Sequence, residues 1–254
     1  MTSRIDPPEF GMNFWCYVHT RWLDRGRVKY FPTRAVGLLL GAVAGLWSDG
    51  ASAGSNDPAL RVQSIIESTT TAWSRAFSAR GRGYPAPRVM LTRHPRHHPE
   101  RAAGYYRGLA VAIDLGEIED IDALFPRESE TLTALVVAHE VAHHVQFLNI
   151  RDGRPAASSA PAYELEADCA AGWWLGRANA RHLATTGAAR FPTEGLERQL
   201  PRLFQALYTL HHRRLDAPPR DMTRLHGADG DRIAAFQRGL AAADPALCGA
   251  GVTP

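Results

Sequence analysis

Two histidines with an acid beside the first are the residues of this 254-residue chain with the clearest chemistry. The segment His139-Glu140-Val141-Ala142-His143 fits the pattern H-E-x-x-H. Residues i and i+4 of an α-helix lie about 40° apart around its axis and one turn apart along it. Both imidazoles can therefore reach one tetrahedral zinc ion at about 2 Å. Glu140 can then act as the general base toward a zinc-bound water.

A zinc site that keeps one position open for water needs a third protein ligand. The longer pattern H-E-x-x-H-x-x-G-x-x-H does not supply it, because the chain has Gln146 and Asn149 at those places. The downstream segment ELEAD offers two carboxylates four residues apart on one helix face. We predict that Glu164 binds the zinc and that Asp168 accepts the N–H of a ligand histidine. Glu166 points about 200° away from the ligand and is predicted to be solvated or structural.

The alternative is that the motif occurs by chance and that hydrogen bonds alone satisfy its three polar residues. Apolar residues precede the motif, at Leu132, Leu135, Val136, Val137 and Ala138. This pattern predicts a mostly buried helix, in which an unpaired glutamate and two unpaired histidines would be costly. The context therefore favours a metal site.

Helical patterns dominate the rest of the chain, with two short extended runs between them. Apolar residues recur at helical spacing in several segments, and large and small apolar residues alternate around 109–115. We predict helices over 58–79, 130–149, 163–178, 196–213 and 231–243, and strands over 88–92 and 109–115. The fold class is thus α+β and mostly helical, with a small sheet. The loop at 150–162 lets the two motif-bearing helices pack together, and the 109–115 strand is a candidate edge for binding an extended peptide.

The first 53 residues differ from the remainder. An apolar run at 35–47 follows several basic residues and precedes Ala51-Ser52-Ala53, which together are typical of a secretory signal peptide. Thirteen apolar residues are fewer than the roughly 20 that span a bilayer. We predict an N-terminal extension with signal peptide or anchor over 1–53 and a functional domain over 54–254. A buried N-terminal helix is the alternative.

Charge and cysteine content bear on the partners and the cellular compartment of the protein. The net charge of +3 is spread along the chain without a long basic run, so nucleic acid is not predicted as a partner. Outside the predicted leader the cysteines are Cys169 and Cys248. In an oxidising compartment they could form a disulfide, which would stabilise the fold by about 4 kcal/mol. The alternative is two unpaired cysteines that act as small apolar residues.

The two motif segments together resemble a known family. Residues 138–146 (AHEVAHHVQ) and 164–172 (ELEADCAAG) resemble the bacterial putative neutral zinc metallopeptidase family, and so do C-terminal segments at 225–227, 231–232, 236–239 and 244–248. The resemblance covers most of 58–250 but not the leader or residues 178–219. It implies a zincin-like metallopeptidase core with a small β-sheet beside the H-E-x-x-H helix. It also implies a gluzincin-like site of two histidines and one glutamate, and pairing of Cys169 with Cys248.

Membrane-bound CAAX-processing proteases are similar in one further respect, a histidine and a following arginine after the second motif. By this resemblance His226 would donate to the oxyanion of the tetrahedral intermediate, and Arg232 would hold its loop. The chain has Gly227 where those proteases have proline. The alternative is that His226 is a surface turn residue.

These observations predict a zinc metalloendopeptidase-type hydrolase that acts on peptide or protein substrates with Zn²⁺ as its cofactor. We expect it to be exported, periplasmic or secreted, or held at the membrane by residues 35–47 if the leader is not cleaved. The alternative function is a zinc-binding envelope assembly or interaction protein without turnover. The intact Glu140 argues against that alternative, because a structural zinc site does not need it.

Overall fold

The computed structural model describes residues 57–93, 104–107, 110–191, 200–201, 204 and 226–249. The predicted signal peptide or anchor over 1–53 lies outside these residues, as does most of the predicted 196–213 helix. Of the helices in the described part of the chain, none has the length and apolar character needed to cross a bilayer.

The described elements confirm the predicted fold class, α+β and mostly helical. In chain order they are α1 (Pro58–Ser78), β1 (Arg88–Thr92), β2 (Gly104–Arg107), β3 (Ala110–Asp114), α2 (Leu115–Leu124), α3 (Ser129–Arg151), α4 (Ala160–Thr186), α5 (Asp229–Ala241) and a short 3-10 helix (Pro245–Cys248). The H-E-x-x-H segment lies on α3 and the ELEAD segment on α4.

The sheet has the strand order β1-β3-β2. β1 runs parallel to β3, with Arg88 opposite Ala110, and β2 runs antiparallel to it, with Gly104 opposite Ile113. All five residues of β3 are buried. The hypothesis that this strand offers an edge to a peptide is therefore wrong, because β3 already has a hydrogen-bonded partner on each side. In the described sheet a peptide could add only along β1 or β2.

Helix α3 is the centre of the core. Its residues from Thr131 to Gln146 are buried without interruption, which is the pattern of a helix enclosed on all sides. It packs against α1, α2, α4, β2 and β3. Large apolar side chains from these neighbours fill the space around it, among them Trp73, Phe77, Ile113, Ile118 and Trp174.

Close contact between α4 and α5 depends on small residues. A Cβ atom built on Gly239 would overlap the carbonyl oxygen of Cys169, and one on Gly172 would overlap the carbonyl oxygen of Phe236. A Cβ on Gly176 would lie 2.8 Å from the carbonyl oxygen of Leu240. The two backbones thus approach each other at glycines on both helices, and this approach fixes the second half of α5 against α4.

A disulfide closes the C-terminal segment onto α4. Cys169 and Cys248 are bonded across a separation of 79 residues, with Cα atoms 5.3 Å apart. In the chain-entropy model a loop of this length stabilises the fold by about 4 kcal/mol. The bond attaches the 3-10 helix to Cys169, the residue that follows Asp168 on α4.

Replacing Gly239 with alanine tests the close approach of the two helices. We expect Gly239→Ala to lower the free energy of unfolding by about 1–3 kcal/mol, because its methyl group can be accommodated only if backbone moves. Gly230→Ala, in the same helix, is the matched control: a Cβ there meets nothing within 4 Å, and the better helix propensity of alanine should raise stability by up to about 1 kcal/mol. Urea unfolding of both variants measures the difference, and equal stabilities would contradict the packing argument.

Candidate metal centre

Three buried side chains meet between α3 and α4. His139 and His143 come from one face of α3, and Glu164 comes from the first turns of α4 after the turn at 152–159. Their exposed fractions are only 7%, 8% and 6%, respectively. One ligand atom from each residue can be chosen so that all three lie within 4.8 Å of one another. This group could therefore hold a metal ion.

The spacing of the ligand atoms suits zinc. His139 Nε2 lies 3.2 Å from Glu164 Oε2, and His143 Nε2 lies 3.5 Å from Glu164 Oε1. Two ligands at about 2.0–2.1 Å from a tetrahedral zinc ion are about 3.3 Å apart. Two imidazoles and one carboxylate are also the donor set of zinc sites that leave a fourth position open. The residues present fit the ion that the motif predicts.

The outer nitrogen of His139 is held by a charged pair. His139 Nδ1 lies 2.9 Å from Asp168 Oδ1. Asp168 in turn accepts two hydrogen bonds from Arg232, at 2.7 Å from Nε and 2.8 Å from Nη2. The guanidinium group of Arg232 also lies 4.9 Å from the centre of the Phe204 ring. The structure thus brings Asp168 and Arg232 together behind the first histidine.

These contacts separate the pKa values of the two histidines. Burial disfavours the charged form of His139, but the charge of Asp168 and its hydrogen bond raise the pKa of His139 to about 10. Burial lowers the pKa of His143 to about 4, although Glu164 opposes the change. Near neutral pH in the metal-free site, the His139 ring therefore carries two protons and the His143 ring carries one.

Two carboxylates of the site, Asp168 and Glu164, are ionised at neutral pH. Burial opposes ionisation of Asp168, but the charge and hydrogen bonds of Arg232 lower its pKa. Burial likewise opposes ionisation of Glu164, but the field of His143 and hydrogen bonds from His139 and His226 hold its pKa well below the usual value. Glu140 behaves differently: burial raises its pKa to about 7, with a smaller opposing contribution from His139.

His226 reaches the same site from the segment before α5. Its Nδ1 atom lies 3.1 Å from Glu164 Oε2, the oxygen that also faces His139. Its side chain is only 13% exposed. Gly227 follows it with a φ of 89°, a left-handed conformation that glycine adopts without strain. The structure therefore places this histidine beside the candidate metal ligands and not on the surface.

Two contacts of His143, with Gln146 and Tyr163, were not predicted from the sequence. Gln146 was considered only as a departure from a longer motif, yet its Oε1 lies 2.8 Å from His143 Nδ1. Tyr163 stacks on the His143 ring, with centroids 5.0 Å apart and an interplanar angle of 8°. Glu166, which was predicted to be solvated or structural, accepts a hydrogen bond from Gln146 Nε2 at 3.2 Å. The spacing from His143 to Gln146, three residues along one helix, was the available signal.

Gluzincin-like zinc sites have two histidines of an H-E-x-x-H motif on one helix and a glutamate on a second helix, and α3 and α4 have this arrangement. Comparison with known proteins gives the family. The family described as putative neutral zinc metallopeptidase matches residues 46–250, and the chain belongs to it.

Two curated proteins are similar to the chain over most of their length. Each is described as uncharacterized protein YpfJ, one from Escherichia coli strain K12 and one from Escherichia coli O6:H1 strain CFT073. Each is 26% identical over 245 residues, which covers 86% of this chain and 81% of the relative. No solved structure matches the chain.

The separation of the two histidine pKa values can be measured in the metal-free protein. We expect the His139 ring to keep its second proton up to about pH 10 and the His143 ring to stay neutral down to about pH 4. The pKa of His139 is raised because the charge of Asp168 favours the protonated form of its ring. NMR titration with ¹⁵N-labelled histidine reports each ring. Titration of both rings near the ordinary value of about 6.5 would contradict the described arrangement.

Proposed function

We propose that this protein is a zinc-dependent metalloendopeptidase that hydrolyses peptide bonds, with Glu140 as its general base. The observation that carries the proposal is the buried group formed by His139, His143 and Glu164 with Glu140 next to it on α3. A structural zinc site has four protein ligands and needs no such base. The family match supports a hydrolase of this kind.

The ligand residues would hold the ion and supply little other chemistry. Zinc, when bound, lowers the pKa of water and polarises a carbonyl group. His139 must lose its extra proton before its Nε2 can bind a metal, because only the neutral ring has a lone pair there. Asp168 keeps the proton on Nδ1, so that Nε2 is the atom presented to the site.

Glu140 is suited to move a proton in both directions. Its pKa of about 7 means that its carboxyl group can accept and release a proton near neutral pH. It would take a proton from the attacking water and deliver it to the departing amine. Burial is the main cause of the raised pKa.

His226 is proposed to stabilise the negative charge that develops on the carbonyl oxygen. Its contact with Glu164 Oε2 supports this role, because the ring then lies beside the candidate metal ligands. While Nδ1 donates to Glu164, only the doubly protonated ring can also donate through Nε2. Arg232 is proposed to act indirectly, because its observed partner is Asp168, the acceptor for His139.

We also propose that residues 54–254 form the functional domain of an exported protein. The family match at 46–250 supports one functional domain over most of this range and begins eight residues before the proposed boundary. The disulfide between Cys169 and Cys248 supports an oxidising compartment, since such bonds persist there. The substrates would be peptides or proteins.

Replacing Glu140 separates catalysis from metal binding. We expect Glu140→Gln to keep about one zinc ion per chain and to lose about 10²–10⁴-fold in kcat, because the amide cannot accept the proton. Elemental analysis and hydrolysis of a peptide library measure the two effects. Unchanged kcat in this variant would contradict the assigned role. A zinc-loaded wild type that cleaves no peptide would favour the assembly or interaction function.

Replacing Glu164 tests the third ligand. We expect Glu164→Ala to lose most of its zinc after dialysis, because two imidazoles alone hold zinc weakly and the open position would become two. Glu119→Ala is a suitable control, since that carboxylate pairs with Arg93 at the surface and lies outside the site. Equal zinc content in the Glu164→Ala variant and the wild type would exclude Glu164 as a ligand.

A further inference from the structure

We propose that Gln146 is a positioning residue that fixes His143 in the tautomer able to bind a metal. The inference rests on the metal site of the proposed function and goes beyond it by assigning a residue that holds the second histidine. Gln146 lies three residues after His143 on α3 and is 2% exposed.

The orientation of the Gln146 amide follows from its neighbours. Its Nε2 lies 2.8 Å from the backbone oxygen of Tyr163 and 3.2 Å from Glu166 Oε2. A carbonyl oxygen accepts hydrogen bonds and cannot donate them, and a carboxylate does the same. The NH₂ group of the amide must therefore face Tyr163 and Glu166. Its oxygen then faces His143 and can only accept.

This orientation determines which nitrogen of His143 carries the proton. Gln146 Oε1 lies 2.8 Å from His143 Nδ1, so Nδ1 must be the N–H that donates to it. The neutral ring then has its lone pair on Nε2. That atom lies 3.5 Å from Glu164 Oε1 and faces the group that could hold the metal. The other tautomer would place two acceptors, Nδ1 and Oε1, against each other.

The amide is itself held on its far side. Glu166 lies 3.5 Å from Arg154 Nη2, which balances its charge. A Cβ built on Gly249 would lie 2.9 Å from Glu166 Oε1, so the glycine after the disulfide leaves just enough room for this carboxylate. The Gln146 amide is thus held on one side by Glu166 and on the other by His143.

The two ligand histidines are consequently held by chemically different partners. His139 faces a carboxylate that is compensated by Arg232, whereas His143 faces an uncharged amide. An amide sets the tautomer and the ring orientation without adding another negative charge to the buried site. Its loss should weaken metal binding by misorienting one ligand and leaving the Nδ1 proton without an acceptor.

The test compares Gln146→Met with Asn149→Leu. Asn149 is a matched control, because it is a second buried amide on α3, and its Oδ1 accepts a hydrogen bond from Arg82 Nη1 at 3.2 Å. For Gln146→Met we expect zinc affinity to fall by about 10–100-fold in competition with a chelator. We also expect the visible absorption bands of the Co²⁺-loaded variant to shift, because the ligand geometry changes. Asn149→Leu should lower the melting temperature but leave both readouts unchanged.

Each outcome decides the inference. Wild-type zinc affinity and an unchanged Co²⁺ spectrum in Gln146→Met would overturn it, and so would an equal loss of affinity in Asn149→Leu. A wild type that binds no zinc would overturn the proposed metal site itself. ¹⁵N NMR of metal-free wild type needs no variant: a proton on Nδ1 of His143 supports the inference, and a proton on Nε2 overturns it.

Discussion

Asp168 carries a negative charge at a place where only 1% of the residue is exposed. Such a charge is tolerated only when cations and hydrogen bonds meet it, because removing one partner of a buried pair costs several kcal/mol. Arg232 and His139 both donate to it, Arg232 through Nε and Nη2 and His139 through Nδ1. Arg232 is held beside Asp168 because α5 lies directly against α4, a close approach that glycines on both helices allow. The packing of two helices thus supplies a cation that balances one buried charge.

The same balance prepares the site for a metal. The proton on His139 and the ionised Glu164 lie together where the ligand atoms converge. His139, His143 and Glu164 would hold a divalent cation only once His139 has lost that proton, and the carboxylates already favour a positive charge there. His143 needs no such exchange, since its ring is neutral at physiological pH. Glu140 lies next to these groups, but its raised pKa makes its charged form less favoured than theirs. Such a pKa suits a group that transfers protons.

Local spacing predicted a large part of the fold and of the site. The i and i+4 positions of His139 and His143, and of Glu164 and Asp168, identified both helices and the faces that meet, because that geometry is set within one element. The role of the central strand was predicted wrongly, since the number of partners of β3 depends on where β1 and β2 lie. The contact between Gln146 and Glu166 was not foreseen either, because it depends on the relative placement of α3 and α4. The predicted leader over 1–53 lies outside the described residues.

The residues that complete the site arrive late in the chain. His226 follows its partner Glu164 by 62 residues, and Arg232 follows Asp168 by 64. At a synthesis rate of about 5–20 residues per second, the three ligands emerge about 3–12 s before these two residues. During that interval the nascent polypeptide has the three candidate metal ligands but lacks the cation that neutralises Asp168. Assembly of the site is therefore coupled to synthesis of the segment through α5, and a translation product that stops before α5 would carry the recognisable motif without the contacts around it.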